Sequence, residues 1–263
     1  MTTDRRAVAR DLVAAWERQQ EVYITHRETR FEVMLDLVER LAPVPDVTAP
    51  GLRVLDLACG PGSSATRVQH RFGAAEVVGV DLDPLLLALA DAASGTDDPT
   101  AGRRPTWVQA DLRDPSWVQA LPPGRFHAVV STTASHWLTG GQLADLYTQV
   151  HGLLLPGGVL CNGDYLPATR PWGTIADAAS DIGEARAART VAAGADSWDA
   201  WWARARAEAA FAEQVQAHDE IVTGVRHEAP TLALHAAALR DAGFVEVELV
   251  WHDLTEGLLC AVA

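Results

Sequence analysis

Apolar positions recur along this chain first at helical spacing, then in short runs separated by turns. The opening MTTDRRAVARDLVAAWERQQ is charged and amphipathic, which predicts a helix from a cap at Thr3 or Asp4 to about Glu21. THRE, Thr25 to Glu28, has capping-box spacing and opens a second predicted helix through about Leu41. PVPDVTAPG then breaks the chain. Beyond it come apolar strands at LRVLDLA, AEVVGVDL, TWVQADL, FHAVVST and GGVLCNGDY. Helices are predicted between them: from about Ser63, from Pro84 behind an Asp83 cap, and over QLADLYTQVHGLL behind a capping box at TGGQ, Thr139 to Gln142.

Strands that alternate with helices in this way predict an α/β fold, a parallel sheet covered on both faces. Ligands in such sheets bind beyond the carboxyl ends of the strands, so the residues just after each strand become the candidates. The rhythm changes after Tyr165. From about Pro171 to Ile221 the chain is alanine-rich and helical, an expected insertion of two or more helices. APTLALHAAALRDAG follows as a helix with Thr231 near its cap and Gly243 as terminator. FVEVELVW and GLLCAVA close the chain as a hairpin-like pair around HDLTEG. The expected organisation is N-terminal helices over 1–46, a core over 47–168, a helical cap over 169–226, and the end of the core over 227–263.

The 263 residues suffice for one full core. A formal net charge of −14 argues against a polyanion, because phosphate backbones are held by clustered cations. Nucleic acid is therefore not the expected partner. All 21 basic residues are arginine. Without lysine there is neither a Walker-type phosphate loop nor a Schiff base. Cys59, Cys161 and Cys260 are widely spaced, unlike a disulfide framework or a zinc site, and suit a reducing cytoplasm. No run approaches the roughly 18 apolar residues of a membrane span, and no signal-peptide core precedes the first helix.

The stretch VLDLACGPGSSA carries the chemistry. Gly60-Pro-Gly62-Ser-Ser-Ala65 fits the loose pattern GxGxxG/A, and Asp81 lies about twenty residues on, where an acid can bind a ribose diol. Alone, that would favour a nicotinamide dinucleotide. Two further acids shift the balance. Asp56, inside the first strand's end, would repel a pyrophosphate but suits a ligand with a positive amino group. Asp111, after the third strand, can accept from an adenine amine.

The series VLDLACGPG, VVGVDLDP, VQADLRD, FHAVVSTTASHWL and LLLPGGVL, in that order, resembles the class I S-adenosylmethionine-dependent methyltransferases over about Gly51 to Asp164. The resemblance implies a three-layer Rossmann-like fold, with a seven-stranded sheet whose last strand is antiparallel, and S-adenosyl-L-methionine as cofactor. It implies that Asp56 and Gly60 face the methionine moiety, Asp81 the ribose and Asp111 the adenine amine. Ala58, Leu82, Ala110, Leu112 and Ser131 would line the same berth. Ala58 departs from the glycine that the family often carries there.

The expected reaction is methyl transfer to an oxygen, nitrogen or carbon of a small-molecule acceptor. His136 is the candidate base, just past the fourth strand and of the residue type best suited to general acid–base work. Trp137, Tyr165, Trp198 and Trp202 are the candidates to contact substrate, with Asp164 of second rank. Trp198, Trp201 and Trp202 either pack the cap onto the core or roof a pocket for a flat or apolar acceptor. By similarity to related enzymes, Tyr23 could reach the cofactor and Arg27 or Arg30 could attract a carboxylate. No metal is expected. The rival readings are a domain that binds the cofactor without transfer, and a nicotinamide-dependent oxidoreductase.

Overall fold

The computed structural model describes residues 2–95, 103–167, 173–222 and 228–263. Two helices come first, α1 (Thr2–Tyr23) and α2 (Arg27–Leu41). Strands and helices then alternate through β1 (Arg53–Leu57), α3 (Ser63–Arg71), β2 (Glu76–Asp81), α4 (Pro84–Ser94) and β3 (Thr106–Gln109). β4 (Phe126–Thr132), α5 (Gly140–Leu153) and β5 (Leu154–Tyr165) complete the parallel part. Three helices follow, α6 (Thr174–Ala192), α7 (Trp198–Arg206) and α8 (Ala212–Ile221). The chain closes with α9 (Leu232–Asp241), β6 (Glu246–Asp253) and β7 (Glu256–Val262).

The strands form one seven-stranded sheet in the order β3-β2-β1-β4-β5-β7-β6. β7 lies between β5 and β6 and runs antiparallel to both, while the pairs from β3 to β5 are parallel. The sheet is thus the mixed one expected, with its last strand reversed. Strand order turns around at β1 and β4, and the crevice above that point is where a ligand fits.

Side-chain alternation along the strands feeds two hydrophobic faces. Leu55, Val129 and Leu160 meet Leu143 and Leu146 of α5 and Leu239 of α9. Val54, Val77 and Val130 meet Phe31 and Met34 of α2 and Val68 of α3. A third cluster is built without the sheet: Leu12 and Trp16 of α1, Leu85 and Leu89 of α4, and Trp201, Trp202 and Phe211 from the inserted segment. Through it the inserted helices are fixed to the core. Trp201 is fully buried and donates its indole N–H to the Leu12 carbonyl at 3.0 Å. By contrast, α6 has no buried residue at all.

Helix ends show where local signals decide. Thr139 and Gln142 form the capping box that their spacing predicts, Asp83 accepts from the Leu85 and Leu86 amides, and Thr231 accepts from Leu234. THRE does not form one. His26 takes the left-handed conformation (φ 59°), α2 starts at Arg27, and its start has no side-chain cap. The reason is tertiary: Arg27 is buried against Glu17 of α1, and that contact fixes where α2 begins. Strand β5 also starts earlier than its expected Gly157, at Leu154. The side chains of Thr3 and Asp4, the expected cap of α1, lie outside the described residues, as do the outer limits of the expected helical insertion at 169 and 226.

Candidate active site

At the tip of β1 the chain must turn sharply into α3. It does so through three left-handed residues, Ala58 (φ 49°), Gly60 (φ 53°) and Gly62 (φ 89°). Gly62 has a second constraint. A Cβ there would meet the Trp107 ring at 2.8 Å, and one on Gly79 would meet it at 2.5 Å, so both glycines make room for the indole that β3 wedges beneath the loop. Over Gly60 the space is open, with Trp16 the nearest group at 4.0 Å from an added Cβ.

The acids at the strand tips take three different positions. Asp81 ends β2 and binds the loop to it: one carboxylate oxygen accepts from the Gly60 amide at 2.7 Å, the other from the Asp83 amide at 2.8 Å. Burial pushes its carboxyl up to about 6. Asp111 is one-third exposed, and Arg113 grips it with a planar two-nitrogen fork at 2.8 Å on each arm. Asp56 points the other way. It shares the α3 face of β1 with Val54, accepts from the Ala65 amide at 3.0 Å, and leaves its second oxygen without a partner. Burial pushes it up to about 8.

These tips open into a cavity of about 850 Å³, toward the upper end of the roughly 300–1,000 Å³ of small-molecule sites. Ala58, Gly60, Asp81 and Leu82 line it, and so do Ala110, Asp111, Leu112 and Ser131. Tyr23, His136, Trp137, Tyr165, Trp198 and Trp202 line it from the other sides. Of the residues expected to contact the cofactor, Asp56 alone does not, and of the substrate candidates the second-rank Asp164 does not. Strand alternation turns the Asp56 carboxylate toward α3, where it serves the loop-to-helix turn. The wall also includes residues that no local motif marks, notably Trp16, Gln20 and Glu256. They come from α1 and from the start of β7, far from the glycine turn in sequence.

The tryptophans divide the two roles between them. Trp201 packs. Trp198 and Trp202 line the cavity and meet Trp16 tilted and edge to face, their ring centroids 5.7 and 6.4 Å from it. Trp202 in turn lies flat against His218 at 4.4 Å. His218 is buried and reaches across to Asp83 at 2.7 Å. Asp83 is therefore more than a helix cap, for it also clamps α8 onto the corner that holds Asp81.

His136, which also lines the cavity, belongs to a histidine–carboxylate pair. His136 Nδ1 lies 2.5 Å from Asp164 Oδ1. Asp164 is fully buried at the end of β5 and also accepts from the amides of Ala134, His136 and Tyr165 and from the Ser135 hydroxyl. Burial opposes its ionisation, but the His136 ring and these donors outweigh burial and hold it well below the usual carboxylate range. An ionised Asp164 can only accept, so Nδ1 is the protonated nitrogen and Nε2 the basic one. Asp164 thus orients the histidine and does not line the cavity. Behind it, Asn162 donates to Ser135 and to the Tyr147 hydroxyl, each at 3.1 Å, and Tyr147 contacts His235 at 2.6 Å. Burial lowers His235 to about 4, so that contact is neutral.

Of the two arginines, Arg27 lines the cavity and Arg30 does not. Arg27 is paired with Glu17 at 2.5 Å, and Glu17 also accepts from Ser63 and Arg67, which ties α1, α2 and α3 together. Burial alone would raise Glu17, yet the two arginines hold it down at about 2. Arg30 lies under Gly163 and pairs with Glu256 at 2.9 Å. No group of three or more histidine, cysteine, aspartate or glutamate side chains is placed to hold a metal among the described residues.

A family model described as a methyltransferase domain matches residues 54–158, from β1 into β5. Trans-aconitate 2-methyltransferase of Streptomyces avermitilis is 34% identical over 149 residues, 56% of this chain and 50% of the relative. The Escherichia coli protein of that name is 34% identical over 123 residues, 47% of this chain and 42% of its own. The chain thus spans about half the length of the curated relatives it matches. In fold it resembles magnesium protoporphyrin IX methyltransferase of Synechocystis with bound SAH, at a TM-score of 0.53 and 16% identity over 97% of this chain and 98% of the other. Human N-acetylserotonin methyltransferase in complex with SAM gives 0.50 and 12% over 94% and 56%.

Proposed function

Because this chain belongs to the class I S-adenosylmethionine-dependent methyltransferases, we propose that it transfers a methyl group to a small-molecule acceptor in the cavity above β1 and β4. The observation that carries this reading is one continuous cavity, with an adenosyl-type berth along the strand tips and the His136–Asp164 pair on its wall. The residues present fit the cofactor. Asp81 uses one lone pair of each oxygen on an amide, and a carboxylate has about four such sites, so two remain for a ribose diol. Asp111 keeps acceptor sites beside the Arg113 fork for an amine. The open space over Gly60 admits a close backbone approach.

S-adenosylmethionine supplies an electrophilic methyl on a sulfonium, so the protein has only to hold, align and deprotonate. Alignment of two bound reactants can account for roughly 7–11 kcal/mol of barrier. His136 Nε2 takes a proton from the acceptor, and Asp164 stabilises the imidazolium that results.

The relatives' substrate transfers poorly. A tricarboxylate needs several unspent cations, and the arginines lining the described cavity are Arg27 and Arg113, each already held by a carboxylate. A carboxylate acceptor also needs no base. Three free, buried cysteines fit a reducing cytoplasm, and no helix among the described residues is long and apolar enough to cross a membrane.

Calorimetry with S-adenosylhomocysteine and with NAD tests the cofactor: the first should bind and the second should not. Asp81→Ala should weaken S-adenosylhomocysteine by roughly 10–100-fold, the worth of hydrogen bonds to a charged acceptor. Wild-type affinity in that variant would remove the ribose assignment.

A further inference from the structure

We propose that the acceptor is a flat aromatic molecule, uncharged at neutral pH, that presents a weakly acidic hydroxyl to His136; this rests on the methyl-transfer reading above. Three independent features of the cavity point the same way. The first is where exposed aromatic surface lies. Among the described residues, the Phe, Tyr and Trp side chains that stay more than a third exposed are Tyr23 (51%), Trp137 (38%) and Trp198 (39%). They come from α1, from the turn after β4 and from α7, yet all three line this one cavity. Exposed apolar surface gathered from distant segments marks a site whose ligand covers it. Flat rings that stack or meet edge to face are the partners such side chains favour.

The second feature is charge. Asp81, Asp83, Asp111 and Glu256 face the cavity, and its arginines, Arg27 and Arg113, are each already paired with a carboxylate. Asp83, Asp111 and Glu256 are likewise engaged, by His218, Arg113 and Arg30, so these pairs are closed and an anionic acceptor would find no cation to spare. A neutral one does not meet that cost. The third is the base. With Nδ1 held by Asp164, His136 is set to remove a proton, which only a proton-bearing acceptor requires. A phenolic hydroxyl, with an ordinary pKa of about 10, still carries its proton at neutral pH.

The step balances simply. The acceptor oxygen forms a bond to the methyl carbon, the carbon–sulfur bond breaks, and its electron pair returns to sulfur as a neutral thioether. The hydroxyl proton passes to His136 Nε2 and leaves to water after product release.

The test uses the full chain with S-adenosylmethionine labelled in its methyl group. One panel contains phenols, such as catechol, a hydroxycoumarin and a hydroxyflavone; the other contains tricarboxylates, trans-aconitate and citrate. S-adenosylhomocysteine binding is measured alongside. Label should appear on phenolic oxygen. His136→Gln should lower that turnover by about 10²–10⁴-fold with S-adenosylhomocysteine affinity retained. Trp137→Ala should raise KM for the phenol about tenfold with little change in kcat, the signature of lost binding. Label confined to tricarboxylates, or no label on any phenol while S-adenosylhomocysteine binds, overturns the acceptor class. Failure of S-adenosylhomocysteine to bind overturns the methyl-transfer reading beneath it, a separate result.

Discussion

Ala58 occupies a backbone conformation (φ 49°) that glycine adopts freely and alanine does not. Its departure from the family's glycine is plain in the sequence, but that it sits left-handed at a strand tip is seen only in the fold. Asp56 and Asp81 make the same point about charge. In the sequence Asp56 lies four residues before Gly60 and Asp81 about twenty after it; in the structure Asp81 serves the cavity and Asp56 serves α3. Asp56 has a measurable consequence. Its folded value of about 8 lies above the ordinary 3.8, so between those values the folded state binds the extra proton. Stability must therefore fall as pH rises through that window, and the loss is complete above it. Asp56→Asn keeps an acceptor for the Ala65 amide and carries no charge. Urea unfolding at pH 5 and pH 8.5 should show the variant more stable than wild type at the higher pH, by more than about 1 kcal/mol, and the gap narrowing at the lower. A constant gap would mean that Asp56 is ionised in both states.

The His136–Asp164 pair was half legible. A histidine just after the fourth strand is a local signal, but its partner depends on the β4–β5 register, which sets Thr132 beside Gly163 and so brings Asp164 alongside the next turn. Asp164→Asn keeps acceptor oxygen for the amides and removes the charge. The protonated ring then loses its charged partner, so the maximum rate should fall while S-adenosylhomocysteine affinity is retained. An unchanged rate would leave Asp164 as a purely structural residue.

Helices and strands were read most reliably where the deciding contacts are a few residues apart. TGGQ caps α5 because donor and acceptor lie within one turn, whereas THRE fails because Arg27 answers to Glu17 ten residues away. The inserted helices were visible from their alanine-rich rhythm, but their attachment was not: His218 meets Asp83 across 135 residues. Asp83 thus holds two elements at once, and its removal should exceed the cost of a cap. Thr231→Ala, which loses only a cap, should cost about 1 kcal/mol. Asp83→Ala should cost about 3 kcal/mol, since it also strands His218 beside Arg206. Equal losses in chemical denaturation would show that the clamp contributes nothing.

The cluster of α1, α4 and the inserted helices is built of buried side chains like those on the faces of the sheet, so the molecule should unfold as one unit. Trp201 is its pivot, fully buried and bonded to α1. Trp201→Ala should cost roughly 3–5 kcal/mol and split the transition, with tryptophan fluorescence changing before far-ultraviolet circular dichroism. Coincident curves would mean that the inserted helices unfold only with the sheet.

The wall over Gly60 and Asp81 joins Trp16, near the start of the chain, to Trp198 and Trp202, some 180 positions later. During synthesis the glycine turn and both tip carboxylates leave the ribosome long before α7 does. A nascent chain halted after β5 would present that corner to water on its outer side, with Trp16 waiting for rings not yet made. Enclosure of that corner by aromatic rings therefore comes only once α7 has been made.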